Sequence, residues 1–76
     1  MSNTRHIGQL ELGESAELRS MNLPEAAAGR LEEMGLLPGA RVRMIRRAPL
    51  GCPIEFEVAG ARLALRQADA AQIFVQ

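Results

Sequence analysis

The chain has 76 residues and a mass of 8.3 kDa, enough for one small domain and too little for two separately buried cores. Apolar residues make up 47% and charged residues 24%, which excludes a disordered tail. Nine arginines, with no lysine, offset nine acids, and the resulting net charge of zero argues against a dedicated nucleic-acid clamp.

Residues 1–9 are polar, carry the single histidine, His6, and follow no period. They are expected to form a flexible N-terminal arm ahead of one domain over residues 10–76. Met1 to His6 leads into Gly8 and Gln9 rather than an apolar run, so no secretory leader is expected. No apolar stretch approaches the roughly 20 residues needed to cross a bilayer. A cytoplasmic protein follows, reaching the inner face of a membrane only through a partner.

Leu10 and Leu12 flank Glu11 before Gly13, and Ser15 to Met21 alternates in polarity. This period of two predicts a half-buried strand with Ala16, Leu18 and Ser20 inward and Glu17 and Arg19 in water. The period then changes. Asn22-Leu23-Pro24-Glu25 has the spacing of a capping box, and a helix is predicted over about 22–34. Ala27, Leu31 and Met34 form its apolar stripe. Gly29 interrupts it at a cost of about 1 kcal/mol relative to alanine, which a close approach of helix to sheet would explain. Gly35 fits the left-handed position that ends a helix, with Leu36 placed to pack on Leu31. Leu37-Pro38-Gly39-Ala40 suits a type II turn.

From Arg41 onward the pattern is β. Val42 and Met44 alternate with Arg41, Arg43 and Ile45; Ala48 to Pro53 is punctuation; Ile54, Phe56 and Val58 alternate with Glu55 and Glu57. Ala59-Gly60 separates that strand from one carrying Leu63 and Leu65. A single helical turn near Gln67 to Ala71 precedes a last strand over 72–76. The fold class is mainly β: about five short strands with one inserted helix. Amphipathic strands this short bury their faces best as a small SH3-like barrel, which also removes edges. An open α+β sheet with the helix across one face is the structural alternative.

The residues assemble no enzyme site. No nucleophile has a base, no carboxylates pair in a cleft, and no glycine-rich phosphate loop is present. The one cysteine, Cys52, has no partner for an internal disulfide, and Cys52 with His6 supplies one sulfur and one imidazole, short of a metal set. No cofactor is expected. Arg41, Arg43, Arg46 and Arg47 crowd one strand, yet Glu55 and Glu57 stand on the neighbouring strand to pair with them. Only Phe56 and Phe74 are aromatic, which leaves little for base stacking. Leu36, Leu37 and Leu50 sit at a helix exit and a loop tip. Either they fold back onto the core, or they make an apolar patch rimmed by Arg41, Arg43, Arg46 and Arg47 that docks a protein partner.

Arg30 to Gly39, Val42 to Pro49, Gly51-Cys52-Pro53-Ile54, Leu63-Ala64-Leu65-Arg66 and Ala70 to Val75, taken in order and spacing, resemble the FeoA family of bacterial ferrous iron transport. The resemblance runs from about Leu10 to Val75. It implies an SH3-like barrel with an inserted helix and a non-catalytic accessory role beside FeoB, the membrane iron transporter with a cytoplasmic G-protein domain. It equally implies kinship with the SH3-like domain of iron-dependent repressors. This chain carries no helix-turn-helix, which favours the transporter role over a stand-alone relative of the repressors. Cys52 departs from the small polar or acidic residue expected in the Gly-x-Pro loop. A small nucleic-acid-binding barrel is the alternative from another class; neutral charge and few aromatics weigh toward no nucleic-acid partner.

Overall fold

The computed structural model describes residues 5–76. Six antiparallel strands form one sheet in the order β1-β6-β2-β3-β4-β5, with β1 at Arg5–His6, β2 at Ser15–Met21, β3 at Arg41–Arg47, β4 at Ile54–Val58, β5 at Ala61–Leu65 and β6 at Ile73–Val75. Helix α1, Glu25–Glu33, lies between β2 and β3, and the single turn α2, Gln67–Ala70, lies between β5 and β6. The expected SH3-like arrangement of about five strands and one inserted helix is therefore present, with a sixth strand added.

That strand comes from the segment expected to be a loose arm. Arg5 pairs with Val75 and His6 with Phe74, and a 3₁₀ turn over Ile7–Gln9 follows. His6 Nδ1 accepts the Gly8 N–H at 3.1 Å while Gln9 Oε1 accepts the His6 N–H at 2.9 Å, so this turn is capped from both sides. Ile7 is completely buried. The domain thus begins by Arg5, because the apolar anchor at Ile7 outweighs the polar look of its neighbours; residues 1–4 of the proposed arm lie outside the described residues.

β2 is the hinge of the sheet. Its first half, Ser15 to Glu17, pairs with β3, and its second half, Leu18 to Met21, pairs with β6 across a register shift between Leu18 and Ser20. The shift turns the backbone, so Ala16 and Leu18 face the core as expected while Ser20 is exposed. From β3 to β5 the alternation holds. Val42 and Met44, then Ile54, Phe56 and Val58, then Leu63 and Leu65 enter one core closed by Leu18, Leu36, Ile73 and Val75. No polar or charged side chain is buried with them among the described residues.

The turns follow their sequences. Ala40 N–H donates to the Leu37 carbonyl at 2.9 Å with Gly39 at φ +92°, as a type II turn requires. The β4–β5 hairpin turns on Ala59 and Gly60 at φ 52° and 80°. Two successive positive φ values give the primed geometry that matches strand twist.

Candidate docking site

Helix α1 begins at Glu25, with Pro24 as its N-cap, and not at Asn22. No side chain caps its N-terminus; Asn22 Nδ2 instead donates to Gln72 Oε1 at 3.2 Å and its backbone N–H to the Gln72 carbonyl at 2.7 Å, which ties the β2 exit to the approach of β6. The expected capping box is therefore absent, and Pro24 stands as the N-cap, its carbonyl accepting the Ala28 N–H at 2.9 Å. The C-terminus follows the predicted form. Leu36 N–H donates to the Leu31 carbonyl and Gly35 N–H to the Glu32 carbonyl, both at 3.0 Å, with Gly35 at φ +102°. This double bond pattern is a Schellman motif, and it swings Leu36 into the core, where none of it is exposed.

None of the residues of α1 is buried. Its stripe of Ala27 and Leu31, continued by Met34, faces the barrel and leaves a groove of about 220 Å³, closed on the other sides by Leu23, Leu65 and Asp69, with Arg30 at its rim. Met34 remains 45% exposed there. The expected close approach at Gly29 does not occur: a Cβ added there would have no atom within 4 Å. Gly29 lies on the side of the helix away from the Leu31 stripe, and Leu31 itself packs against the core.

The sequence candidates separate into three groups. Leu36 is a core residue and drops out of any partner surface. Leu37, 48% exposed, and Leu50, 95% exposed, are accessible but do not form one patch, because the seven residues of β3 run between their turns. At about 3.3 Å per residue, that strand sets the two turns roughly 20 Å apart. The arginines are mostly engaged. Arg43 lies 3.7 Å from Glu57, Arg46 lies 3.5 Å from Glu55, and Arg62 reaches the same Glu55 at 4.0 Å. Such exposed pairs contribute little to stability, but they neutralise the strand. A register shift between Met44 and Arg46 then puts Arg47 opposite Ile54. Arg47 Nη2 consequently reaches over the barrel end and donates to the carbonyls of Gly8 at 2.7 Å and Leu10 at 3.3 Å, so it staples the N-terminal segment. Arg41 and Arg47 are both exposed without an ion pair among the described residues, but Arg47 is held by the two carbonyls while Arg41 has no such side-chain bond.

The strongest perturbation of a titrating group lies away from this face. The Glu11 backbone N–H and then the Arg5 guanidinium, 3.0 Å away, hold the Glu14 carboxyl below its ordinary value. Cys52 is an exposed free thiol in the β3–β4 loop, whose Gly51 carbonyl accepts from Gln67 Nε2 at 2.8 Å. Among the described residues, no three His, Cys, Asp or Glu side chains gather as a metal set would require.

Sequence reasoning singled out the loops and missed the groove. Its signal was present in the stripe Ala27, Leu31 and Met34, which reads equally well as a face packed into the core; that it is half-covered depends on Leu65 and Asp69, more than thirty residues away in sequence.

The FeoA domain family profile matches residues 5–76. The FeoA protein of Chlorobium tepidum, solved by NMR, is 35% identical with a TM-score of 0.87 over 92% of this chain and 68% of that one. The FeoA of Stenotrophomonas maltophilia, solved in complex with zinc and described as an SH3 domain protein, is 33% identical with a TM-score of 0.79 over 93% of this chain and 88% of that one. A manganese-dependent transcriptional repressor shares the fold at a TM-score of 0.83 with 16% identity, over 99% of this chain and 42% of the repressor.

Proposed function

The chain belongs to the FeoA family, and from that membership we propose that it is a non-catalytic accessory protein docking on the cytoplasmic region of a FeoB transporter through the α1 groove. Its association with ferrous iron transport and its SH3-like fold are those of the family. The observation that carries the docking reading is a helix whose apolar stripe is only half-covered along a groove of about 220 Å³. A barrel with its own complete core does not need that stripe exposed, and an apolar centre with polar groups at its margin is the anatomy of a protein-binding surface. No helix among the described residues is long and apolar enough to cross a membrane; a cytoplasmic contact with the transporter is part of the proposal. Arg41 and Leu37, which immediately follow the helix exit, extend the proposed surface; Leu50, at the far end of β3, is not part of it.

The test is titration of the purified protein against the isolated cytoplasmic region of FeoB, loaded with GDP or with a GTP analogue, at two salt concentrations. Saturable binding is expected. Leu31→Asp places a charge in the middle of the groove and should weaken binding at least about tenfold, as for a central hot-spot residue. Leu50→Asp should leave it unchanged. Equal binding by Leu31→Asp and the unaltered protein would remove the groove as the contact.

A further inference from the structure

One edge of the sheet runs beside the groove. β5 is the terminal strand and pairs only with β4 among the described residues. The two-residue turn at Ala59-Gly60 makes Val58 and Ala61 a hydrogen-bonded pair. Such pairs alternate along an antiparallel ladder, so Phe56 with Leu63 and Ile54 with Leu65 also exchange bonds. The N–H and C=O groups of Arg62 and Ala64 therefore point away from β4, and no other backbone bond among the described residues takes them up. Leu65, next along, forms a wall of the groove.

At about 220 Å³ the groove is below the roughly 300–1,000 Å³ of small-molecule pockets. It suits an aliphatic side chain. The free charge at its rim is cationic: Asp69 is held by Arg66 at 3.4 Å, while Arg30 has no ion pair among the described residues. A second copy of this chain is a poor occupant, since its own β5, Ala61–Leu65, carries no carboxylate to meet Arg30. A helix laid in the groove would leave the free backbone groups of Arg62 and Ala64 unused.

Resting on the docking reading above, we infer that the occupant is an extended segment of the partner, added as a strand to the β5 edge, with one aliphatic side chain in the groove and a carboxylate toward Arg30. Backbone bonds to Arg62 and Ala64 supply register, and the groove and Arg30 select the side chains.

The full chain, labelled with ¹⁵N, is to be titrated with the cytoplasmic region of FeoB and with synthetic eight-residue peptides carrying a central leucine followed by glutamate or by lysine. Hydrogen exchange at the Arg62 and Ala64 amides should slow at least tenfold in the complex. The glutamate peptide should bind at least fivefold tighter than the lysine peptide, a preference that Arg30→Glu reverses. Ala64→Pro deletes one edge N–H without touching the β4 ladder and should weaken binding tenfold; if that variant does not fold, exchange in the unaltered chain decides. Unchanged exchange at both amides in a complex that Leu31→Asp still abolishes would overturn strand addition and leave the groove reading standing. Binding indifferent to both Leu31→Asp and Ala64→Pro would overturn both. Protection of the two amides that rises with protein concentration alone would overturn it in favour of a second copy.

Discussion

The β3–β4–β5 meander and helix α1 each carry an apolar stripe and reach opposite ends. The large inward residues of the meander, Val42, Met44, Ile54, Phe56, Val58, Leu63 and Leu65, are all buried, whereas no residue of the helix is. The sheet finishes its core with Leu36, which belongs to the helix exit, while Leu31 packs against that core only partly buried and Met34 stays 45% exposed. Apolar periodicity predicts that a face will be covered; it does not predict whether the chain itself or another molecule covers it.

The sharpest way to break this contrast is truncation on either side of it. Phe56→Ala opens a cavity in the meander and should cost about 3–5 kcal/mol, much of the stability of so small a domain. Leu31→Ala, half-covered, should cost only about 1 kcal/mol in the same urea titrations. Comparable losses would show the helix to be part of the cooperative core. The adjacent leucines at the helix exit make a finer version: Leu36→Ala should lose about 2–4 kcal/mol and Leu37→Ala less than about 0.5 kcal/mol. Thermal melts of the two variants should separate by many degrees.

Two glycines test where the chain is constrained. Gly35→Ala forces a side chain into φ +102°, with its Cβ 3.0 Å from that of Ala59, and should destabilise by at least about 1–2 kcal/mol. Gly29→Ala meets nothing and should stabilise by about 0.5–1 kcal/mol. A loss at Gly29 would mean that its added methyl group meets a neighbour absent from this geometry.

The smallest effect concerns pH and the N-terminal segment. Because Glu14 titrates lower in the folded state, its contribution is present at neutral pH and disappears as pH falls below the ordinary carboxylate range toward its lowered value. Glu14→Gln should be less stable than the unaltered protein near pH 7, with the gap closing toward pH 3. A gap constant across that range would show that the carboxylate charge contributes nothing there.

Much of the fold is legible in the sequence because its signals are local. The Leu37 to Ala40 turn, the Ala59-Gly60 hairpin and the Schellman ending at Gly35 are each written in a few consecutive residues. What is missed is set at a distance. Arg5–His6 is too short to show a period, and it becomes a strand because Phe74 and Val75, at the other end of the domain, receive it. Ser20 breaks alternation because β2 changes partners at a bulge. Arg47 looks like its neighbours in sequence and differs only because the register shift aims it at two carbonyls. The groove is equally nonlocal, since Leu65 and Asp69 are brought to α1 by the closing of the sheet.

β6 sits between β1 and β2, so the strand made last occupies an interior slot of the sheet. During synthesis, everything up to residue 72 can form the β2–β5 meander, but β1 has nothing to join until residues 73–75 clear the ribosome. The domain therefore completes itself in a single late insertion, and a nascent chain stalled a few residues short of that point would expose Ile7, Leu10 and Leu18 together to the chaperones that patrol the tunnel exit.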